Sequence, residues 1–209
     1  MLGKDPASTR SDFRHGLLGS FAVLAALLSA ASGSELGTSS QLQLLDLNGR
    51  RVEPLRDSRA KATVFIFTLT DCPISNRYAP ELRRLHEKFF TRGVTFWLVY
   101  PDPRESVETI RKHWEDYEYP FGALRDPRHV LVAMTGARVT PEAAVFVPGK
   151  SGAEMAYHGR IDDRYVDFGK ARAEPTARDL QEALKAILDG RPVPSQTTRA
   201  VGCFIPDLE

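Results

Sequence analysis

Two stretches of unbroken apolar character stand out along the chain, Ala62 to Leu69 (ATVFIFTL) and Val94 to Tyr100 (VTFWLVY). Both are rich in β-branched and aromatic residues and lack a helical period, so they predict central strands buried on both faces. Between them Leu82, Leu85 and Phe89 recur at i, i+3 and i+7, a helix stripe that Gly93 ends. Glu105 to Tyr117 predicts a second helix with Val107, Ile110 and Trp114 facing inward. Ala143 to Val147 predicts a third strand, and Glu154 to Ile161 its hairpin partner across the turn at 149–152. Asp179 to Leu188 predicts a last amphipathic helix through Leu180, Ala183, Leu184 and Ile187. Ahead of these elements, Leu42 to Leu47 alternates, Asn48-Gly49 supplies a turn, and Arg51 to Leu55 returns as a hairpin. The charged stretch Gly159 to Tyr165 (GRIDDRY) reads as a solvated loop. Strand–helix–strand–helix followed by a hairpin and a helix predicts an α/β fold, one mixed sheet covered by helices on both faces.

The N-terminus has a different pattern. Basic groups at Lys4, Arg10 and Arg14 precede an apolar run from Leu17 to Ala31, closed by Ser29-Ala30-Ala31. A membrane span needs about 20 apolar residues, whereas a secretory core needs roughly 7–15 followed by small residues. Residues 1–31 therefore read as a signal peptide or a retained N-terminal anchor, and 32–41 as a linker. The domain occupies 42–190, and 191–209 form a tail without periodicity. The expected location is extracytoplasmic, periplasmic or secreted, where disulfides persist.

Composition narrows the function classes. Hydrophobic residues at 42% and charged residues at 26% exclude a wholly disordered chain and a coiled coil. Lys and Arg total 28 against 27 Asp and Glu, a net charge of +1. That balance leaves no electrostatic footprint for nucleic acid or an anionic membrane surface. Two cysteines make neither a disulfide-dense scaffold nor a four-thiolate zinc site.

One of the two, Cys72, stands where a buried strand ends and a helix begins, with Pro73 at the first helical position. Unpaired backbone N–H groups and the positive end of the helix dipole favour thiolate over thiol there. The adjacent Asp71 opposes them. A small buried hydrophobe is the other reading of a cysteine at such a place. The other cysteine, Cys203, sits in an apolar patch, Ala200 to Ile205, inside the polar tail. Gly202 permits close approach of the backbone to another surface.

The order of these features resembles the thioredoxin superfamily. Within it the match is to the redoxin branch, which holds alkyl hydroperoxide reductase/thiol-specific antioxidant proteins and TlpA-like oxidoreductases. The hairpin QLQLLDLNGRRVEPL is similar to the extension this branch places before its core. Cys72-Pro73-Ile74-Ser75 sits at the family's Cys-x-x-Cys site, and Pro80 matches its helix-kinking proline. FGALRDPRHVLVAMTGARVTPEAAVFV, residues 121–147, resembles the branch's Leu-x-Asp, short helix and Thr-Pro before a strand. The resemblance covers about 41–190 and implies a thioredoxin-like fold with an N-terminal β-hairpin extension. It implies that Cys72 is the attacking thiol of a thiol–disulfide oxidoreductase. It also implies that Pro141, after Thr140, is a cis-proline facing Cys72 where a substrate chain pairs. No organic cofactor is implied, because the sulfur carries the electrons. The implied partners are a disulfide-bonded or oxidised protein and a redox partner protein.

Two departures from the family pattern follow. Position 75 is serine, so no vicinal disulfide can close. Ser75 either donates to the Cys72 thiolate or is an exposed helix residue. Peroxiredoxins use Pro-x-x-x-Thr-x-x-Cys, and here Phe65 and Leu69 replace the proline and the peroxide-orienting threonine. Cys203 is expected as a resolving thiol that folds back to Cys72, as a packing residue where the tail docks, or as an unpaired thiol. The alternatives are a peroxiredoxin-like antioxidant peroxidase, a copper-binding protein and an interaction module without turnover. The copper reading has no second thiol beside Cys72 and only His129 and His158 within reach.

Overall fold

The computed structural model describes residues 44–208; the expected signal segment 1–31 and linker 32–41 lie outside the described residues. The elements in chain order are β1 (Leu44–Asp46), β2 (Arg51–Val52), β3 (Ala62–Phe67), α1 (Pro73–Arg77), α2 (Ala79–Phe90), β4 (Val94–Tyr100), α3 (Val107–Asp116) and β5 (Gly122–Arg125). They continue with α4 (Val130–Thr135), β6 (Val139–Thr140), β7 (Glu142–Gly149), β8 (Gly152–Gly159), β9 (Tyr165–Asp167), β10 (Lys170–Ala171), α5 (Asp179–Leu188) and β11 (Cys203–Phe204). Seven strands form one mixed sheet in the order β2-β1-β5-β4-β3-β7-β8. β3 and β4 run parallel, as do β4 and β5; β7 runs antiparallel to β3 and β8 antiparallel to β7. The β1–β2 hairpin is the N-terminal extension, added antiparallel to β5.

The central strand β3 is buried at every position, as its unbroken apolar run requires. Val64 and Ile66 pack with Leu82, Leu85 and Phe89 of α2 and Leu180 and Leu184 of α5. Phe65 and Phe67 join Leu44, Leu124 and Leu131 on the opposite face. Each large side chain so buried is worth about 1.5–3 kcal/mol relative to exposure. Burial on both faces holds the end of β3 in place, and Cys72 lies five residues beyond it.

The helix after Cys72 is interrupted at Tyr78, in keeping with the match of Pro80 to a helix-kinking proline, because Pro80 has no N–H to continue the ladder from α1. Other expectations are corrected. On α3 the fully buried residues are Ile110 and His113, while Val107 and Trp114 are half-covered. β5 is a strand that periodicity does not announce, since GALR is short and has no β-branched residue. Gly122 is required there: a Cβ would lie 2.5 Å from the Trp97 ring across the ladder. The stretch 159–165 is not a solvated loop, for Ile161, Asp162, Asp163 and Tyr165 are all buried. Asp163 accepts from the N–H groups of Thr176 and Ala177 and Asp162 from the Tyr78 hydroxyl, which makes these charges tolerable inside.

The tail is ordered by docking rather than by its own pattern. Backbone N–H groups of His158 and Thr198 donate to the carbonyls of Gln196 and His158 respectively. The Thr198 Oγ1 contacts Tyr157 Oη at 2.7 Å and accepts from Arg160 N. Gly159 has φ +141°, and a Cβ there would lie 2.2 Å from the Thr198 carbonyl oxygen. Gly159→Ala is therefore expected to cost about 1–3 kcal/mol, read as a lower Tm, with faster hydrogen exchange at the Thr198 amide. An unchanged exchange rate there would show that the tail does not depend on this close approach.

Candidate active site

Cys72 caps α1 and is fully buried. Its chain position follows from a turn after β3, in which the Cys72 N–H donates to the Leu69 carbonyl at 3.3 Å. The Ser75 backbone N–H reaches the sulfur at 3.4 Å, the helix-start interaction expected of the residue before Pro73. In its thiol form Cys72 donates to the Thr140 carbonyl at 3.1 Å. Thr140 belongs to β6, and the Thr140–Pro141 bond that follows is cis. The buried hydroxyls of Ser75 and Thr140 have no hydrogen-bond partner, and both residues act to lower the Cys72 pKa.

The tail completes the arrangement. β11 pairs antiparallel with β6, Cys203 opposite Thr140 and Phe204 opposite Val139, and the Ile205 N–H donates to Arg138 O. Gly202 is pressed against the same strand, because a Cβ there would lie 2.0 Å from the Thr140 carbonyl oxygen. This pairing sets Cys203 beside the residue whose carbonyl the Cys72 sulfur meets, and both cysteines are free thiols. The two sulfurs are shifted in opposite directions. Burial pushes Cys72 up, but donation from Cys203, Ser75 and Thr140 more than offsets it and holds this thiol below its ordinary value. Burial raises Cys203, and its donation to Cys72 and the charges of Cys72 and Asp71 raise it further, to about 12. One sulfur is thus set up as the thiolate and the other as its proton donor.

A second group of residues fixes the loop ahead of Cys72, and the sequence pattern does not reveal it. Glu105 accepts from the Thr70 N–H at 2.7 Å and from its hydroxyl at 2.6 Å. Asn76 donates from Nδ2 to the Thr70 carbonyl at 3.1 Å, leaving Oδ1 to accept from His113 Nε2 at 2.8 Å. His113 Nδ1 then accepts from the Tyr100 hydroxyl at 2.8 Å. Each partner's role dictates the next, so His113 is the neutral Nε2–H tautomer. Burial holds it there, with a pKa lowered to about 4. The available signal was His113 at i+3 from Ile110 on the inner stripe.

Every candidate residue from the sequence, Cys72, Ser75, Thr140, Pro141 and Cys203, lies at this one place. The histidines are engaged elsewhere. His158 Nε2 is 3.1 Å from Glu142 Oε1, and His129 Nε2 donates to the Pro101 carbonyl at 3.0 Å. Among the described residues no group of three or more His, Cys, Asp and Glu side chains is arranged to hold a metal ion. Nor is any helix among them long and apolar enough to cross a membrane.

A family model described as AhpC/TSA matches residues 39–154. No curated protein matches the chain. Among solved structures, an uncharacterized conserved protein from Geobacillus kaustophilus has 28% identity and a TM-score of 0.68, over 79% of this chain and 88% of that one. A hypothetical protein from Sinorhizobium meliloti 1021 has 23% identity and a TM-score of 0.66, over 78% and 88%. The MTB dsbF protein, solved in mixed oxidized and reduced forms, has 19% identity and a TM-score of 0.50, over 70% and 95%. The last two likenesses establish the fold.

The opposed shifts of the two sulfurs have a direct readout. Alkylation of Cys72 against pH is expected to show a midpoint below the free-cysteine value of about 8.5, with Cys203 modified only at higher pH. Cys203→Ala removes a donor to the thiolate, so the Cys72 midpoint is expected to move upward. A midpoint unmoved by that change would overturn the thiol–thiol hydrogen bond as its cause.

Proposed function

Because the chain belongs to the AhpC/TSA family and is a thioredoxin-fold thiol oxidoreductase, we propose that it exchanges disulfides with a partner protein through Cys72 and Cys203. The observation that carries this reading is the strand pairing that sets Cys203 opposite Thr140, the residue whose carbonyl the Cys72 sulfur meets at 3.1 Å, with both cysteines free thiols. The Cys72 thiolate attacks one sulfur of a partner disulfide. A Cys72–partner disulfide forms, the partner's own S–S bond breaks, and the displaced sulfur leaves as thiolate and takes up a proton. With Cys72 held in the mixed disulfide, its sulfur carries no negative charge and accepts no hydrogen bond from Cys203. Both raise the Cys203 pKa beyond the effect of burial in the resting state, so Cys203 ionises more readily when the tail returns to the mixed disulfide.

The Cys203 thiolate then attacks Cys72, a Cys72–Cys203 disulfide forms, and the partner's second sulfur departs to be protonated. The partner has gained two electrons and two protons, which the two cysteines have lost. The reverse sequence oxidises a partner dithiol. Ser75 and Thr140 support the Cys72 thiolate, and Pro141 shapes the strand end that faces it. No cofactor takes part.

This scheme makes the chain a poor peroxidase, although its family includes peroxide reductases in name. Leu69 is buried where the resemblance calls for a threonine, and its carbonyl accepts from the Cys72 N–H instead. Export belongs to the same proposal and rests on the apolar run Leu17 to Ala31. N-terminal sequencing of the protein from the cell envelope is expected to begin near residue 32, or to show residues 1–31 retained in a membrane fraction. Recovery of the intact chain from the cytosol would overturn it.

Treatment of the reduced protein with excess small disulfide is expected to yield a Cys72–Cys203 bridge on mass mapping. Cys203→Ser is expected to stop at a mixed disulfide on Cys72, and first modification at Cys203 would sink the assignment. Losing an oriented donor costs about 10²–10³ in rate. Hydrogen peroxide should therefore oxidise Cys72 no faster than it oxidises an ordinary thiolate, and a rate orders of magnitude higher would replace this reading with peroxidase chemistry.

A further inference from the structure

Among the described residues the two strands of the β6–β11 pair have no other strand partner: they form a sheet of their own beside Cys72. Without β11, the Arg138 carbonyl and the Thr140 backbone would lie on an open edge, and open edges accept any extended chain that can satisfy them. The tail fills that edge antiparallel, with its cysteine opposite Thr140 and its sulfur against Cys72. Geometrically it sits as the chain of a mixed-disulfide partner would sit. Its hold is local and short. Upstream, Gln196 to Thr198 is anchored to His158, Tyr157 and Arg160. The distal segment rests on the two paired positions, the Ile205 N–H and the partial packing of Val201, Cys203 and Ile205 against the core, while Phe204 is 82% exposed.

We propose that the segment Gly202–Ile205 is a built-in occupant of the site for an extended, cysteine-bearing polypeptide, and that a protein substrate reacts only after this segment leaves. The proposal rests on the thiol–disulfide reading above and adds its substrate class. The substrate strand joins β6 antiparallel, with its cysteine in the place of Cys203. The close approach at Gly202 adds a specificity rule. The residue before the substrate cysteine is glycine, because a Cβ at that register meets the Thr140 carbonyl oxygen at 2.0 Å. While the tail is docked, only the fraction of molecules with the segment displaced is competent, and the apparent affinity for substrate is reduced by that fraction.

The test follows the first exchange step alone, in chains carrying Cys203→Ser so that no resolution occurs. Two probes are Ala-Gly-Cys-Phe-Ile and Ala-Val-Cys-Phe-Ile, each joined through its cysteine to nitrothiobenzoate. Attack of the Cys72 thiolate on the peptide sulfur forms the peptide–Cys72 disulfide and releases the coloured nitrothiobenzoate anion, the better leaving group. A third probe, dithiobis-nitrobenzoate, has no chain to pair and corrects for simple uncovering of the sulfur. The tail is docked in Cys203→Ser, displaced when Gly202→Val is added, and absent in a chain ending at Ala200; the last guards against a misfolded double variant.

On displacement, the Gly-Cys peptide rate relative to dithiobis-nitrobenzoate is expected to rise about tenfold or more. The displaced chains are also expected to prefer the Gly-Cys over the Val-Cys peptide by about tenfold. Equal acceleration of all three probes would mean that the tail merely covers the sulfur, and would overturn the proposal. So would equal rates for the two peptides, or a fall in peptide rate when the tail is gone. Failure of Cys72 to react with any probe in any chain is a different outcome, and it would bring down the thiol–disulfide reading itself.

Discussion

The arrangement depends on one short backbone pairing, Cys203 opposite Thr140. Cys203 has no helix or buried strand to place it, and β11 is two residues long. What fixes the second sulfur is the ladder to β6 and the closeness that Gly202 allows. Backbone hydrogen bonds of this kind contribute about 0.5–1.5 kcal/mol each. These bonds and the partial packing of Val201, Cys203 and Ile205 hold the distal tail, above an upstream anchor that keeps its origin fixed. A rigidly buried Cys203 would give one permanent geometry, and a free tail would give none.

The chemistry at the two sulfurs follows from that contact. Thr140 accepts from the Cys72 thiol through its carbonyl at 3.1 Å. Its strand also receives the tail. Cys72, Thr140 and Cys203 thus form a triangle in which a change at one corner is felt at the others. The buried body of the domain contributes position: β3 is covered on both faces, and the Thr70–Glu105 and Asn76–Thr70 hydrogen bonds clamp the loop leading from it.

Local pattern made much of this legible. β4 and α5 have the bounds that periodicity predicts, and β3 stops two residues short of its predicted end because the chain turns toward Cys72. The resemblance located Cys72, Ser75, Thr140 and Pro141 in the sequence, and the fold brings them together. What stayed hidden depends on contacts between distant segments. β5 exists because β1 and β4 flank it, not because GALR is a strong strand former. The acidic pair at 162–163 looked like a solvent loop until its partners Tyr78, Thr176 and Ala177 were in place. Residues 191–209 have no period because a docked tail takes its path from the surface beneath it. The Glu105, Asn76 and His113 connections are likewise invisible in a charged helix whose outer face needs no function.

The neutral His113 ties the loop before Cys72 to the acidity of the surroundings. It takes up a proton near pH 4 when folded and near its ordinary value of about 6.5 when unfolded. Between those values the unfolded chain binds more protons than the folded one, so stability rises with pH across that window and falls as the medium acidifies. A proton forced onto Nδ1 also ends its acceptance of the Tyr100 hydroxyl, at the far end of a chain of contacts that reaches Thr70 through Asn76. Acid would thus loosen the cysteine's own support through His113. An imidazole with no part in the electron transfer sets the acid limit within which that transfer has a rigid platform.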